Sequence, residues 1–204
     1  RIVHNSIRFS EDIDFDNLGL PPSELIKLSQ TIKRQLELEG YSVEIKTVFK
    51  NAFHCYIKFP EILYDYELSG HKMEKILIQL DTEPQKYDYV HEKHLLNKFG
   101  LFRFINVTPA NLLLSQKLCA CLSRKREKGR DFFDVVYLAS KTNPDYNYLD
   151  AKLSIKNKND LVALLKKRAS ILNFKTLAND VEPFLFNAEQ KDRVLYFKEW
   201  LDNF

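Results

Sequence analysis

The sequence predicts an α+β fold, a small mixed β-sheet with flanking helices followed by a helical C-terminal bundle. Three observations predict it. Short stretches of the first half alternate apolar and polar residues, the period of a strand buried on one face. From Thr108 onward the apolar residues recur at helical spacing instead. The 204 residues are 45% hydrophobic and 13% aromatic, enough apolar material to bury a core without disulfides or structural metals.

Taken in order, Arg8 to Phe15 reads as a strand. Phe9, Ile13 and Phe15 fall on one face, and Ser10, Asp12 and Asp14 on the other. Pro21-Pro22-Ser23 opens a helix carrying Leu25, Leu28, Ile32 and Leu36 at helical spacing, and Gly40 stops it. Two alternating strands follow. Tyr41, Val43 and Ile45 oppose Ser42, Glu44 and Lys46, then Phe53, Cys55, Ile57 and Phe59 oppose His54, Tyr56 and Lys58. Lys50-Asn51 between them suits a hairpin, which pairs the two antiparallel. Lys75 to Asp81 is a further strand with Ile76, Ile78 and Leu80 inward, and Leu101 to Val107 a last short one. Thr108-Pro109 marks a helix start, with Thr as cap and Pro at the first helical position. The stretch from Leu112 to Lys125 has no breaker, Gly129 ends a basic run, and a new helix starts near Asp131. Helical patterns continue through Leu161 to Leu172 and Gln190 to Phe204. The change of period places a domain boundary near residue 107, with a core over 1–107 and a helical domain over 108–204.

Composition excludes several classes. The aromatic content and the 29% of charged residues exclude a disordered chain, and 5 Gly with 7 Pro exclude collagen-like and low-complexity folds. No apolar run approaches the roughly 18 residues of a membrane span. Lys and Arg exceed Asp and Glu by 31 to 28, a surplus compatible with a polyanionic partner but too small to argue for one. Three cysteines, Cys55, Cys119 and Cys121, fit a reducing, cytoplasmic setting better than a disulfide framework. Cys119-Ala-Cys121 lacks zinc half-site spacing and reads as buried helix thiols. The chain starts at Arg1, and its first seven residues carry no targeting pattern. Either it was processed or it is a piece of a longer gene product.

The residues that carry chemistry begin with Asp12 and Asp14. Spaced by one residue on a strand, the two carboxylates share a face, roughly 7 Å apart at Cβ. Such a pair repels unless a cation lies between, and a hard divalent ion such as Mg²⁺ is the natural occupant. A solvated acidic edge strand is the bland alternative, against which an apolar Ile13/Phe15 face argues for a core-anchored strand that holds the pair rigidly. Asp81 closes the strand KILIQLD and points away from its apolar face. It is either a third metal-binding carboxylate, as in two-metal phosphoryl transfer, or a strand-end cap. Lys117 shares a helix face with Leu113, Ala120 and Arg124 and either snorkels or reaches a triphosphate. Asp131 and Asp134 fall in a first helical turn, where carboxylates also serve as caps.

RFSEDIDFD, a strand ending in Asp81, Lys117 through Arg124, and Arg130-Asp131-Phe132-Phe133-Asp134 occur in this order. Together they resemble the AbiEii/AbiGii nucleotidyltransferase toxins of the DNA polymerase beta-like superfamily, over essentially the whole chain. The resemblance implies a nucleotidyltransferase toxin of a toxin–antitoxin or abortive-infection system. It would transfer a nucleoside monophosphate from an NTP to an acceptor hydroxyl, on a tRNA 3′ end or a protein, with Mg²⁺ as cofactor and a cognate antitoxin as partner. By position, Asp12 and Asp14 match the metal-binding pair, Asp81 the third carboxylate, Ser10 the motif serine and Lys117 the nucleotide-contacting lysine. Asp131 matches the late acidic residue, and Arg124 joins the nucleotide-binding set. The family's opening Gly-Gly or Gly-Ser motif, which holds phosphates by backbone N–H groups, is absent. A Gly-Gly-Thr or Gly-Gly-Ser is therefore expected upstream of Arg1, with Arg1 to His4 as the tail of the helix that follows it.

Two rival readings stand beside this one. Glu44-Ile45-Lys46 on a strand is the acidic E-x-K arrangement of metal-dependent nucleases. The run Arg124 to Arg130, with six charged residues, would serve a non-enzymatic module that binds nucleic acid or protein.

Overall fold

The computed structural model describes residues 2–10, 12–50 and 52–204. Three expectations lie partly outside them: the helix tail at Arg1, the middle of the Arg8-to-Phe15 strand at Glu11, and the Lys50-Asn51 turn at Asn51. The chain is α+β and divides into two compact units, Ser10–Asp88 and Arg1–Phe9 with Tyr89–Phe204.

The first unit contains β1 (Asp12–Asn17), α1 (Pro22–Leu38), β2 (Glu44–Phe49), β3 (Phe53–Pro60), the single-turn α2 (Ile62–Asp65) and β4 (Lys75–Pro84). The strands form one mixed sheet in the order β1-β4-β3-β2. The expected β2–β3 hairpin is antiparallel, β3 and β4 are antiparallel, and β4 runs parallel to β1. Alternation does what the sequence implies. Phe53, Cys55, Ile57 and Phe59 of β3 are buried, joined by Leu25, Ile32 and Leu36 of α1 and by Ile78 and Leu80 of β4. The opposite face is therefore polar, and it is the face that carries Asp12, Asp14 and Asp81.

Two expectations about β1 need correction. The regular strand begins at Asp12, and Arg8 instead forms an isolated bridge to Leu185, inside the other unit. Nor is β1 anchored in the core, because Ile13 and Phe15 are 45% and 56% exposed. The reason is position: β1 is an edge strand, and α1 packs on β2 and β3 at the other side of the sheet. What holds the Asp12–Asp14 segment is backbone pairing with β4, continuous from Asp12 to Asn17.

The second unit opens with a hairpin, β5 (Glu92–Lys98) and β6 (Leu101–Val107). The sequence pattern marks β6 but not β5. The two-residue turn Phe99-Gly100 takes φ of 55° and 73°, a left-handed pair that Gly tolerates and Phe rarely marks. Helices follow: α3 (Ala110–Ser123), α4 (Gly129–Ala139), α5 (Tyr146–Leu153), α6 (Lys158–Ser170), α7 (Phe174–Val181), α8 (Asp192–Leu195) and α9 (Phe197–Asn203). Short 3₁₀ turns at Glu182–Phe184 and Ala188–Lys191 interrupt the last of them, so Gln190 to Phe204 is not one continuous helix. The start of α3 also differs from expectation. Pro109 is the cap residue, its carbonyl accepting from Leu113 N–H, while the Thr108 hydroxyl lies 3.1 Å from Tyr89 Oη.

The core of this unit gathers residues from every helix. Leu114, Leu118 and Cys121 of α3 meet Phe132, Phe133 and Val135 of α4, and Phe132 stands edge-on to both Phe174 and Phe197. α4 and α7 approach so closely at Gly129 that a Cβ there would overlap the Leu177 carbonyl oxygen. Burial pushes the Cys121 thiol well above its usual range and the Cys119 thiol up to about 11, in keeping with inert helix thiols. No helix among the described residues is long and apolar enough to cross a membrane.

Candidate active site

In the Ser10–Asp88 unit the acidic face is built by register. Asp14 and Asp81 are direct partners across β1 and β4, and Asp12 lies opposite Gln79. Paired residues project to the same side of a sheet, so Asp12, Asp14 and Asp81 share one face, with the two strands about 4.8 Å apart. Like charges set directly opposite each other destabilise a sheet, so the arrangement calls for a compensating group. Ser10 lies just before it and donates from Oγ to the Asp12 carbonyl at 3.0 Å.

Asp81 is more constrained than the sequence implied. His54, its partner in the β3–β4 register, places Nδ1 2.8 Å from Asp81 Oδ1. Gln79 Nε2 donates to both Asp81 oxygens, at 3.0 and 2.8 Å. Neither residue was singled out from the sequence. The signal existed in the alternation, which puts His54 on the polar side of its strand, but only the cross-strand register brings it to Asp81.

The Tyr89–Phe204 unit holds a second cluster, buried at the junction of α3 and α4. Lys117 Nζ lies 3.2 Å from Asp131 Oδ1 and 3.1 Å from Asp134 Oδ2. Arg124 Nη1 reaches Asp131 Oδ2 at 2.7 Å. Arg8, 1% exposed, grips Asp134 with two hydrogen bonds, Nε to Oδ1 at 2.8 Å and Nη2 to Oδ2 at 2.7 Å. A fork of this kind is the strongest geometry available to a carboxylate. Asp131 and Asp134 are thus buried partners of cations rather than helix caps, and Lys117 is paired with them rather than snorkelling. Among the described residues, Arg8, Lys117 and Arg124 face Asp131 and Asp134 here. Lys117 and Arg124 are the members that reach solvent, at 22% and 45% side-chain exposure. Cationic groups that reach solvent suit an anionic ligand.

The chemistry of the residues fits a divalent metal, since aspartate oxygens on one rigid face are what a hard cation takes. Among the described residues, however, no three His, Cys, Asp or Glu side chains are grouped closely enough to hold one. The features of the rival readings are otherwise engaged. Glu44 hydrogen-bonds Lys75 through both oxygens, at 3.0 and 2.9 Å, and that lysine holds its carboxyl below the usual range. Its strand β2 is the edge opposite β1, so no strand aspartate lies beside it. In the basic run, Arg124 pairs with Asp131, Glu127 with Arg168 at 2.5 Å, and Arg130 lies over the Phe184 ring at 4.4 Å.

A family model described as "Nucleotidyl transferase AbiEii toxin, Type IV TA system" matches residues 1–200. No curated protein and no solved structure is significantly similar to the chain. The match spans both the acidic sheet face and the Lys117–Asp131 cluster, and the chain accordingly belongs to the AbiEii nucleotidyl transferase toxin family of type IV toxin–antitoxin systems.

Proposed function

We propose that this nucleotidyltransferase toxin transfers a nucleoside monophosphate from an NTP to an acceptor hydroxyl, on a tRNA 3′ end or a protein, in a Mg²⁺-dependent reaction. Membership of the family implies an NTP substrate, a divalent metal and a cognate antitoxin. The observation that carries the reading is the direct pairing of Asp14 with Asp81 across parallel strands, with Asp12 on the same face.

Asp12, Asp14 and Asp81 would hold the metal. When bound, Mg²⁺ supplies positive charge that offsets the negative charge building on the triphosphate. The chain's own residues do the rest. Asp81 accepts the proton of the acceptor hydroxyl as its oxygen bonds to the α-phosphorus and the bond to the leaving pyrophosphate breaks. Lys117 and Arg124 bind phosphate oxygens as donors, Lys117 as a point charge and Arg124 as a fork. Asp131 steadies both of them, since it touches both. The Ser10 hydroxyl assists in nucleotide binding beside the Asp12 segment.

The test is label transfer from each α-labelled NTP to total tRNA and to protein, with and without Mg²⁺. Asp12→Asn should abolish transfer while the thermal unfolding midpoint holds or rises slightly, because one of several like charges has gone. An Asp12→Asn protein that transfers label normally, or that unfolds, would make the carboxylates structural.

A further inference from the structure

Asp81 meets nitrogen groups from two strands, His54 of β3 at Oδ1 and Gln79 of β4 at both oxygens. We propose that His54 and Gln79 are positioning residues that set the rotamer of the Asp81 carboxylate, a role that rests on the reading of Asp81 as the third carboxylate of the site.

The geometry follows from register. His54 faces Asp81 across the β3–β4 ladder, and Gln79 lies two residues before Asp81 on β4, so all three side chains rise from one face. An ionised carboxylate only accepts hydrogen bonds, so His54 donates through Nδ1. That contact is 2.8 Å, and Gln79 Nε2 closes on Oδ1 and Oδ2 at 3.0 and 2.8 Å. The His54 ring is steadied by Tyr56, whose ring lies beside it at 6.3 Å and 26°. A carboxylate offers about four acceptor positions, so donors on both oxygens leave others open toward solvent, where Asp81 is 25% exposed. An exposed aspartate would otherwise sample several rotamers. Two donors on fixed strands remove that freedom before any ligand arrives, which is the condition for a group that must act from one position.

The experiment compares His54→Leu, His54→Asn and Asp81→Asn in the whole chain. Asn retains an N–H donor near the place of imidazole Nδ1, whereas Leu retains only bulk. Mn²⁺ binding is read by electron paramagnetic resonance, label transfer by kcat and KM for the NTP, and folding by thermal unfolding. His54→Leu should weaken Mn²⁺ binding several-fold and lower kcat roughly 10- to 100-fold, as a misplaced group does. KM for the NTP should stay within about twofold and the unfolding midpoint should not move, since a positioning contact does not bind the nucleotide. His54→Asn should recover most of both losses. Unchanged Mn²⁺ affinity and kcat in His54→Leu, or equal damage in the Leu and Asn variants with a lowered midpoint, would overturn the proposal. Asp81→Asn separates the two levels. If it removes Mn²⁺ binding and transfer while His54→Leu removes neither, only the positioning role fails; if Asp81→Asn changes nothing, or the unsubstituted protein binds no Mn²⁺, the reading of Asp81 itself fails.

Discussion

Replacing Arg8 by Met tests how much of the helical unit depends on its buried charge cluster. Arg8 is 1% exposed, and its guanidinium makes two bonds to Asp134 and one, at 3.0 Å, to the Phe9 carbonyl. Met fills similar volume, so the change removes charge and donors more than packing. Asp134, 6% exposed, would keep its contact with Lys117 at 3.1 Å. Breaking one side of a buried pair costs about 3–5 kcal/mol, and the retained lysine argues for the lower end, about 3 kcal/mol. With a urea m-value of about 2 kcal/mol/M, the unfolding midpoint should fall by about 1.5 M. Trp200, the sole tryptophan, lies in this unit between Phe197 and Phe204, at 5.2 and 4.6 Å between rings, so its fluorescence reports the transition. The double variant Arg8→Met/Asp134→Leu removes both charges and should regain most of the loss, because two apolar side chains need no partners. A fall of less than about 0.5 M for Arg8→Met, or a double variant no better than the single, would refute the claim that the pair is what the unit cannot do without.

Further outcomes follow from packing and thiol chemistry. Gly129→Ala puts a Cβ into the Leu177 carbonyl oxygen and 2.9 Å from its carbon. Backbone must then move, so the same urea assay should show a loss of at least about 2 kcal/mol, and wild-type stability would disprove the close α4–α7 approach. A thiol reagent at pH 8 should react slowly with the folded protein. Cys55 and Cys121 are buried with their thiols pushed up by burial, and a thiol at about 11, as for Cys119, is only about 0.1% thiolate at that pH. All three should react once urea unfolds the chain, and a fast-reacting thiol in the folded state would contradict this burial.

Much of the fold was legible because it rests on local periodicity. The buried row Phe53, Cys55, Ile57 and Phe59 of β3 and the helix carrying Leu25, Ile32 and Leu36 are patterns of period 2 and 3.6 that any reader of the sequence can count. The hairpin strand β5 is not legible in the sequence because Phe99 supplies a left-handed turn residue that composition does not advertise. Helix ends near Thr108 and Asp131 shifted by one or two residues, as capping competes with neighbouring contacts such as the Tyr89–Thr108 hydrogen bond.

The sequence by itself determined which residues are chemically available: the Asp12–Asp14 pair, the strand-end Asp81, Lys117, Arg124 and Asp131, and the α+β alternation that presents them. Only the tertiary structure decided who faces whom. Asp14 meets Asp81, and Asp81 meets His54, through strand order and register, which are long-range pairings that no local pattern encodes. Arg8 meets Asp134 across 126 residues of chain. A buried charge must find its partner wherever the fold brings one, and here the fold turned two apparent helix-cap aspartates into the anchors of a cationic cluster.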